Sequence, residues 1–212
     1  MKSNERIFFD LQQFEGKSAL MGIDEAGRGP LAGPVVVGAV SINQTFLANY
    51  EKYPWLCEIN DSKKLSPKKR ELLFQNLCEF RKKNLIRFTA FAVNNEKIDQ
   101  INILQATTLA MNIAAQRLWN DNSKIIIDGN PVKFFKYTHT GIIKGDSKSC
   151  CIGMASIIAK VTRDRIMDFF DKKYPQYNFS QNKAYGTKQH TDALTKYGLS
   201  PIHRVTFCQK YT

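Results

Sequence analysis

The sequence predicts an α/β fold in which helices flank a mixed β-sheet within a single domain. A length of 212 residues suits one core-bearing domain and leaves no room for several large ones. Hydrophobic residues make up 43% of the chain and charged residues 24%, which is ordinary globular usage rather than a disordered composition. Strand-like and helix-like segments alternate after two adjacent strand-like segments, which favours an antiparallel start over an all-parallel doubly wound sheet.

Two β-rich segments near the N-terminus predict a hairpin. Residues 18–24 and 33–42 are rich in strand-forming residues, and the glycine-rich stretch EAGRGPLAG joins them. Ser66 is a suitable N-cap and Pro67 a suitable first residue for a helix over 67–83. Beyond this helix, the pattern predicts a strand over 86–93, a helix over 94–119 and a strand over 124–128.

The second half of the chain predicts one more strand and a long helix. The strand is expected over 137–143, and the helix over 147–173, where Pro175 stops it. We interpret residues 175–212 as a C-terminal helical cap with one helix over 187–196, and residues 1–17 as an N-terminal extension. The prediction is therefore a single domain over 1–212 with a short segment added at each end.

The balance of charges favours an anionic partner. Thirty-one Lys and Arg against 19 Asp and Glu give a net charge of +12 and a pI near 9.5. Nucleic acid is the first expectation and a membrane surface the second. No apolar run approaches the roughly 18 residues of a membrane span, and charges interrupt the N-terminus where a signal peptide needs an apolar stretch. We expect a cytoplasmic protein whose five cysteines, which include no CxxC pair, are reduced thiols.

Four carboxylates stand at chain reversals and together suggest a metal site. Asp24 and Glu25 end the first strand, Asp128 ends the strand over 124–128, and Asp146 lies just ahead of the long helix. Each by itself would be an ordinary solvated cap or turn residue. Acids at the ends of parallel strands meet at one sheet edge, where their mutual repulsion requires a cation. Mg²⁺ suits such oxygen ligands together with a substrate phosphate, so the pattern predicts phosphate chemistry, with two ions promoting an in-line displacement.

The adjacency of Asp24 and Glu25 imposes a geometric condition. Neighbouring side chains on a regular strand face opposite ways, so the strand must end or bend there if both acids serve one site. Gly27 and Gly29 make such a bend feasible. The same turn, with Arg28 between the glycines, would present backbone N–H groups and a guanidinium to a phosphate or a ribose hydroxyl. The alternative is a tight turn with a solvated arginine.

Seven sequence blocks, taken in order, resemble the bacterial ribonuclease HII family and cover most of the chain from Gly22 to Phe207. A chance match to seven ordered blocks is far less plausible than a match to one short motif. The blocks are GIDEAGRGPLAGPVVVGAV, NDSKKLSPKKRE, INILQATTLAM, IIIDGN, KGDSKS, ASIIAKVTRDR and AYGTKQH.

The resemblance implies a ribonuclease H-like fold with a mixed five-stranded sheet and a C-terminal helical extension. It also implies an endonuclease, dependent on Mg²⁺ or Mn²⁺, that cuts the RNA strand of RNA–DNA hybrids and nicks duplex DNA 5′ to an embedded ribonucleotide. The expected products carry 3′-hydroxyl and 5′-phosphate ends. The family's four metal-binding carboxylates correspond to Asp24, Glu25, Asp128 and Asp146.

The resemblance also implies substrate-binding residues. The turn formed by Gly27, Arg28 and Gly29 matches the family's GRG turn, which reads the 2′-hydroxyl and the flanking phosphate of the ribonucleotide. Tyr185 matches the family's junction-sensing tyrosine, although without the resemblance a partly buried anchor for the C-terminal segment would be the better interpretation. Ala184 precedes it where the family often has glycine, which leaves the pose of the tyrosine open.

Other charged and ionisable residues receive less specific interpretations. Lys63 and Lys64 are expected to contact the phosphate backbone, with a solvated charge pair as the alternative. Asp164, within the long helix, is expected to form a structural salt bridge. His139, His190 and His203 lack metal-ligand spacing and are expected to be structural. His203 and Arg204 remain candidates for substrate contact.

Three alternatives to a monomeric ribonuclease HII stay open. A ribonuclease HIII-like enzyme that cuts only hybrids is expected to have a large N-terminal domain and to lack the arginine of the turn, whereas about 20 residues precede the motif here and Arg28 is present. A catalytically silent nucleic-acid-binding module would explain the charge but not the four acids. A small-molecule phosphohydrolase would need neither the charge nor a ribose-reading turn.

Overall fold

The computed structural model describes residues 4–211 and contains one mixed five-stranded sheet, as the sequence predicts. The strands are β1 (Ala19–Ala26), β2 (Val35–Asn43), β3 (Ile86–Val93), β4 (Ser123–Asp128) and β5 (Thr140–Ile142). Their order in the sheet is β3-β2-β1-β4-β5. Strands β1 and β2, and likewise β2 and β3, pair in antiparallel fashion, whereas β4 runs parallel to both β1 and β5.

Helices cover both faces of the sheet. The helices are α1 (Glu5–Gln13), α2 (Gln44–Ala48), α3 (Pro67–Lys82), α4 (Asn95–Leu118), α5 (Gly145–Lys148), α6 (Cys150–Lys173), α7 (Phe179–Asn182), α8 (Lys188–Tyr197) and α9 (Val205–Cys208). On one face the long helix α6 packs with α1, α2 and α3, and on the other lies α4, so the apolar side chains of the central strands alternate between two cores. A third, smaller core holds the C-terminal segment with α7, α8 and α9.

Two helices begin behind a side-chain cap, and the sequence predicts the first of these caps. The Ser66 side chain accepts the Lys69 N–H at 3.2 Å, with Pro67 in the first turn of α3. The Asn94 side chain caps α4 in the same way, at 3.0 Å from the Lys97 nitrogen. Helix α4 is not uniform, because Asn102 leaves helical geometry at φ 64° and ψ 165°.

The predicted single helix over 147–173 is wrong at its start, because the segment forms two helices. Ser149 between α5 and α6 is extended, with φ −115° and ψ 130°, and its hydroxyl accepts the Ile152 N–H at 3.0 Å. Asp10 on α1 accepts the Cys151 N–H at 2.7 Å. These two caps satisfy first-turn N–H groups of α6, which therefore begins at Cys150 rather than continuing from α5.

The edge strand β5 is shorter than the predicted strand over 137–143. Residues 131–139 form a loop in which His139 Nε2 accepts the Val132 N–H at 2.9 Å. The rings of Phe135 and Tyr137 pack beside the core under α4. These contacts turn the chain, and pairing with β4 begins only at Thr140.

Helix α6 lies directly against the sheet backbone because β2 carries a glycine at the crossing. A Cβ on Gly38 would lie 2.2 Å from the Ala155 carbonyl oxygen, closer than any real contact. The absence of a side chain lets the helix approach at this point. This close packing sets the height of α6 relative to the ends of β1 and β4.

Both added segments pack against the domain where the structure describes them. In the N-terminal segment, Ile7 on α1 and Phe14 directly after it are buried, with 0% and 1% of their surfaces exposed. The C-terminal segment folds over the loop that follows β1, with Leu31 and Ala32 in its core. Residues 1–3 and residue 212 of these segments lie outside the described part of the chain.

Within residues 4–211, no helix is both long and apolar enough to cross a bilayer. All five cysteines are free thiols, and Cys150, Cys151 and Cys208 are buried.

Candidate active site

Three acids from separate elements converge at one edge of the sheet. Asp24 comes from β1, Asp128 from the end of β4 and Asp146 from α5. One carboxylate oxygen from each lies within 4.8 Å of the other two. The last paired residues of the parallel strands β1 and β4 are Ile23 and Ile127, so the residues that follow them, Asp24 and Asp128, lie side by side.

Asp24 is the most buried of the three acids, with 5% of its surface exposed. Its Oδ1 accepts the backbone N–H of Glu25 at 2.7 Å, and Ser156 on α6 also donates to it. Burial, and then the neighbouring carboxylates of Glu25 and Asp128, raise the pKa of Asp24 well above its usual value. Sequence reasoning missed Ser156, although it lies in the ASIIAKVTRDR block.

Asp128 organises the chain segment that carries Asp146. Its Oδ1 accepts the Gly145 N–H at 2.6 Å and the Asp146 N–H at 3.4 Å, and so caps α5. Lys144, just before this helix, adopts a left-handed backbone at φ 57°. Burial, followed by Asp128 and Asp61, raises the pKa of Asp146. Asp128 therefore holds the first turn of α5.

Glu25 lies near this group but not within it. Strand β1 continues through Glu25 to Ala26, so the predicted strand end or bend at Asp24 and Glu25 is wrong. The two neighbours alternate in direction, and Glu25 Oε1 instead lies 3.3 Å from Arg28 Nη1. Burial raises the pKa of Glu25 while Arg28 opposes the rise.

The two predicted lysines occupy different electrostatic positions. Partial burial lowers the pKa of Lys63, but four carboxylates, led by Asp24 and Asp146, outweigh this effect and raise it. Lys63 is therefore the cation that faces the acid cluster. Lys64 is exposed on the rim, with its Nζ 3.3 Å from Ser147 Oγ and 3.9 Å from Asp61 Oδ2.

A buried arginine holds the turn formed by residues 27–29. Arg204, which is 0% exposed, donates to the carbonyl oxygens of Gly27 at 2.6 Å, Arg28 at 2.9 Å and Gly33 at 3.0 Å. In a trans peptide the carbonyl and the following N–H point in opposite directions. Drawing the first two carbonyls inward therefore directs the N–H groups of Arg28 and Gly29 away from Arg204.

Arg163 on α6 holds the rest of the same loop. This side chain is 1% exposed and donates to the carbonyls of Pro34 at 3.1 Å, Lys183 at 3.1 Å and Ala32 at 3.3 Å. Sequence reasoning missed it, although it too lies in the ASIIAKVTRDR block. His203 and Arg204, which the sequence leaves as candidates for substrate contact, are both buried under the loop.

Tyr185 forms one wall beside the turn. Its side chain is 46% exposed, and a Cβ built on Gly29 would lie 3.9 Å from Tyr185 Cε1. The backbone before it is left-handed at Lys183 and Ala184, with φ 49° and 64°, where a glycine would be unstrained. A groove of about 470 Å³ runs beside it, lined by Glu25, Gly27, Arg28, Gly29, Ser62, Lys63, Arg70, Lys160, Arg163 and Tyr185, among others.

The remaining ionisable residues of the sequence analysis are structural. Asp164 Oδ1 lies 2.7 Å from Lys160 Nζ, which confirms the predicted salt bridge. His190 and His203 are buried against each other in the C-terminal segment, and His139 holds the loop after β4. None of the three belongs to the acid cluster found among the described residues.

The acid cluster fits a hard divalent cation. Three buried or half-buried carboxylates with converging oxygens repel one another, and burial followed by this repulsion raises the pKa of Asp24 and of Asp146. Oxygen ligands of this kind match Mg²⁺ and Mn²⁺ better than soft metals. The lining of the groove beside the cluster includes five cations, which suits an anionic ligand: Arg28, Lys63, Arg70, Lys160 and Arg163.

Comparisons with known proteins agree on one family. The family model described as Ribonuclease HII matches residues 21–210. A ribonuclease HII from Endomicrobium trichonymphae is 47% identical over 206 residues, which cover 97% of this chain and 90% of that protein. One from Rickettsia bellii is 45% identical over 201 residues, which cover 93% of this chain and 95% of that protein.

Solved structures show the same fold. The crystal structure of ribonuclease H2 from Pyrococcus horikoshii has a TM-score of 0.73 and 29% identity, with 91% of this chain and 96% of that chain covered. A structure described as Bst-RNase HIII in complex with Mn²⁺ has a TM-score of 0.74 at 17% identity, with 95% of this chain and 71% of that chain covered. The second likeness concerns the fold alone.

Proposed function

This chain belongs to the ribonuclease HII family, and on that premise we propose that it is a metal-dependent endonuclease acting on ribonucleotides within duplexes. It cleaves the RNA strand of RNA–DNA hybrids and nicks duplex DNA 5′ to an embedded ribonucleotide, leaving 3′-hydroxyl and 5′-phosphate ends. The observation that carries this proposal is the convergence of Asp24, Asp128 and Asp146 within 4.8 Å. The cluster adjoins the groove that the turn and Tyr185 line.

The acid cluster is the proposed metal site. Asp24, Asp128 and Asp146 would hold Mg²⁺ or Mn²⁺, and Glu25 would complete the set once its ion pair with Arg28 opens. When bound, two such ions would supply Lewis-acid activation of water and stabilise the leaving oxygen of an in-line displacement.

The turn is the proposed site of ribose recognition. Arg204 draws the carbonyls of Gly27 and Arg28 inward, so the N–H groups of Arg28 and Gly29 are available as donors to a 2′-hydroxyl or to the adjacent phosphate. A 2′-hydroxyl distinguishes a ribonucleotide from its DNA neighbours, and these backbone donors can therefore select the nucleotide. Tyr185, half exposed beside Gly29, would stack on the neighbouring sugar.

The cations around the groove are the proposed contacts to the phosphate backbone. Lys63 lies close enough to the carboxylates for them to raise its pKa, so it would reach a phosphate near the acid cluster. Lys64 on the rim would contact a more distant phosphate. The net charge of +12 favours a nucleic acid duplex over a small substrate. We further propose that the enzyme acts as a monomer in the cytoplasm.

The test is cleavage of a labelled DNA duplex that contains one ribonucleotide, with Mg²⁺, Mn²⁺ or EDTA. The wild type is compared with Asp24→Asn and with Asp164→Asn, a matched carboxylate variant outside the cluster. We expect metal-dependent nicking 5′ to the ribonucleotide, none by Asp24→Asn and none on an all-DNA duplex. Cleavage of long hybrids only would indicate a ribonuclease HIII-like activity, and tight binding without cleavage a silent binding module.

A further inference from the structure

The imidazoles of His190 and His203 form a buried contact beneath the turn over residues 182–187, which carries Tyr185. His190 lies on α8 and His203 just before α9, with 0% and 2% of their surfaces exposed. Their Nε2 atoms are 3.0 Å apart. Neither residue lines the groove, and the proposed chemistry uses neither of them.

The hydrogen bonds around the pair define where each proton lies. The backbone N–H of Ser200 donates to His203 Nδ1 at 2.8 Å, and the Ser200 hydroxyl lies 2.7 Å from the same nitrogen, so we assign this nitrogen as an acceptor without a proton. The proton of His203 is therefore on Nε2, where it is donated to His190 Nε2. His190 in turn carries its proton on Nδ1, which lies 3.0 Å from the Tyr185 carbonyl oxygen. A directed chain thus runs from Ser200 through both rings to the backbone of Tyr185.

The backbone of this turn requires support from outside. Lys183 and Ala184 both have left-handed φ values, which are costly for residues with a side chain. Local bonds hold part of the turn, because Asn182 Oδ1 accepts the Ala184 N–H at 2.7 Å and the Thr187 N–H donates to the Tyr185 carbonyl at 2.8 Å. The His190 N–H is the side-chain donor to that same carbonyl.

We propose that the His190–His203 pair positions Tyr185, holding the backbone from which its ring faces the substrate. This inference rests on the proposed function, in which Tyr185 contacts the sugar. His190 acts through the Tyr185 carbonyl and is a positioning residue rather than a catalytic one. The C-terminal segment, through Ser200 and His203, thereby contributes to a groove that it does not line.

The surroundings keep both rings neutral. The rings of Tyr177 and Phe179 pack against the pair, with centroids 4.9 to 6.3 Å away. No described carboxylate hydrogen-bonds to either imidazole, and the nearby cation Arg204 turns its guanidinium toward the loop at residues 27–33. Burial, with His190 second, lowers the pKa of His203 to about 4, and burial also lowers that of His190. The proton chain is therefore intact at pH 7.

The first test reads the protons directly in the wild-type protein. Long-range ¹H–¹⁵N correlation spectra at pH 7 assign the tautomer of each histidine, with His139 as an internal reference. We expect His190 to carry its proton on Nδ1 and His203 on Nε2. A proton on His190 Nε2 only, or a cationic ring, would overturn the proposal because the Tyr185 carbonyl would then lack this neutral donor chain.

The second test asks whether His190 acts through Tyr185. His190→Asn retains an N–H donor near the Nδ1 position, whereas His190→Leu fills the space without a donor. We expect His190→Leu to lower kcat/KM on the single-ribonucleotide duplex by about 3- to 10-fold, the size of one hydrogen bond, and His190→Asn to retain most of the activity. In a Tyr185→Ala background the loss caused by His190→Leu should disappear.

The outcomes separate this inference from the proposed function. Equal losses from His190→Leu with and without Tyr185, or equal losses from the leucine and asparagine variants, would overturn the positioning role alone. Wild-type turnover by Tyr185→Ala would overturn the substrate contact and the inference with it. Thermal unfolding of each variant defines a temperature at which all are folded. If His190→Leu does not fold, the tautomer measurement still decides the proposal.

Discussion

Replacing Arg204 with lysine should separate the shape of the turn from the stability of the domain. Arg204 donates three hydrogen bonds, at 2.6, 2.9 and 3.0 Å, to the carbonyls of Gly27, Arg28 and Gly33. A lysine keeps the charge but presents a single ammonium in place of a planar fork. At least two of these carbonyls then lose their donor, at about 1 to 3 kcal/mol each, or roughly 2 to 6 kcal/mol in all.

Arg163→Lys is the matched control for this substitution. Arg163 is equally buried and also donates to three backbone carbonyls, but these belong to Ala32, Pro34 and Lys183 rather than to the turn. Both variants should lose a similar part of a total stability of about 5 to 15 kcal/mol. Only Arg204→Lys releases the peptides whose N–H groups face the groove.

The assay combines urea unfolding with steady-state nicking of the single-ribonucleotide duplex, at a temperature where both variants are folded. We expect Arg204→Lys to lower kcat/KM by about 10- to 100-fold, because a misplacement of about 1 Å can cost that much. The loss for Arg163→Lys should be several-fold smaller. Equal losses of activity at equal losses of stability would refute the reasoning, as would full activity in Arg204→Lys.

Three other predictions concern the acids and the sheet contact. Burial and its neighbouring carboxylates raise the pKa of Asp24, so Asp24→Asn should raise the melting temperature of the metal-free protein at pH 7 and abolish nicking; a lower melting temperature would contradict this. Burial raises the pKa of Asp10 from 3.8 to about 7, so its contribution to stability is full below pH 4 and is lost as the pH rises through 7. Asp10→Asn should flatten the dependence of unfolding free energy on pH over that range, and an unchanged slope in urea titrations would count against it. Gly38→Ala places a Cβ 2.2 Å from the Ala155 carbonyl and should cost about 3 kcal/mol or more, whereas Gly29→Ala, with its nearest contact at 3.9 Å, should stay within about 0.5 kcal/mol; a thermal shift assay that shows similar losses would disprove the difference.

Elements with local causes follow from the sequence alone. Strand β3 has the predicted bounds of Ile86 and Val93, and α3 begins at Pro67 behind its Ser66 cap. Both features depend on residues that are neighbours in the sequence. The proximity of Asp24 and Asp128 also follows from the sequence. Each stops an apolar run that indicates a buried parallel strand, and the ends of such strands meet at one edge of the sheet.

The composition of the acid cluster was only partly legible from the sequence. All four acids were identified, yet alternation along β1 separates Glu25 from the three that converge, and an ion pair with Arg28 holds it aside. The alternation is predictable from the sequence, but the predicted strand ends at these residues. Pairing with Val36 of β2 carries β1 on to Ala26, and this pairing depends on the sheet as a whole.

The contacts that hold the start of α6 and the turn over residues 27–29 come from distant parts of the chain and follow from the tertiary structure. In the first turn of α6, beside the local Ser149 cap, the Cys151 N–H donates to Asp10, which lies 141 residues earlier in the chain. Arg204, which lies 177 residues away in sequence, holds the turn by donating to the Gly27 carbonyl oxygen at 2.6 Å. Such contacts have no local signature, since a buried backbone group takes whichever donor or acceptor the packed fold brings to it, and leaving it unpaired costs about as much as a lost hydrogen bond.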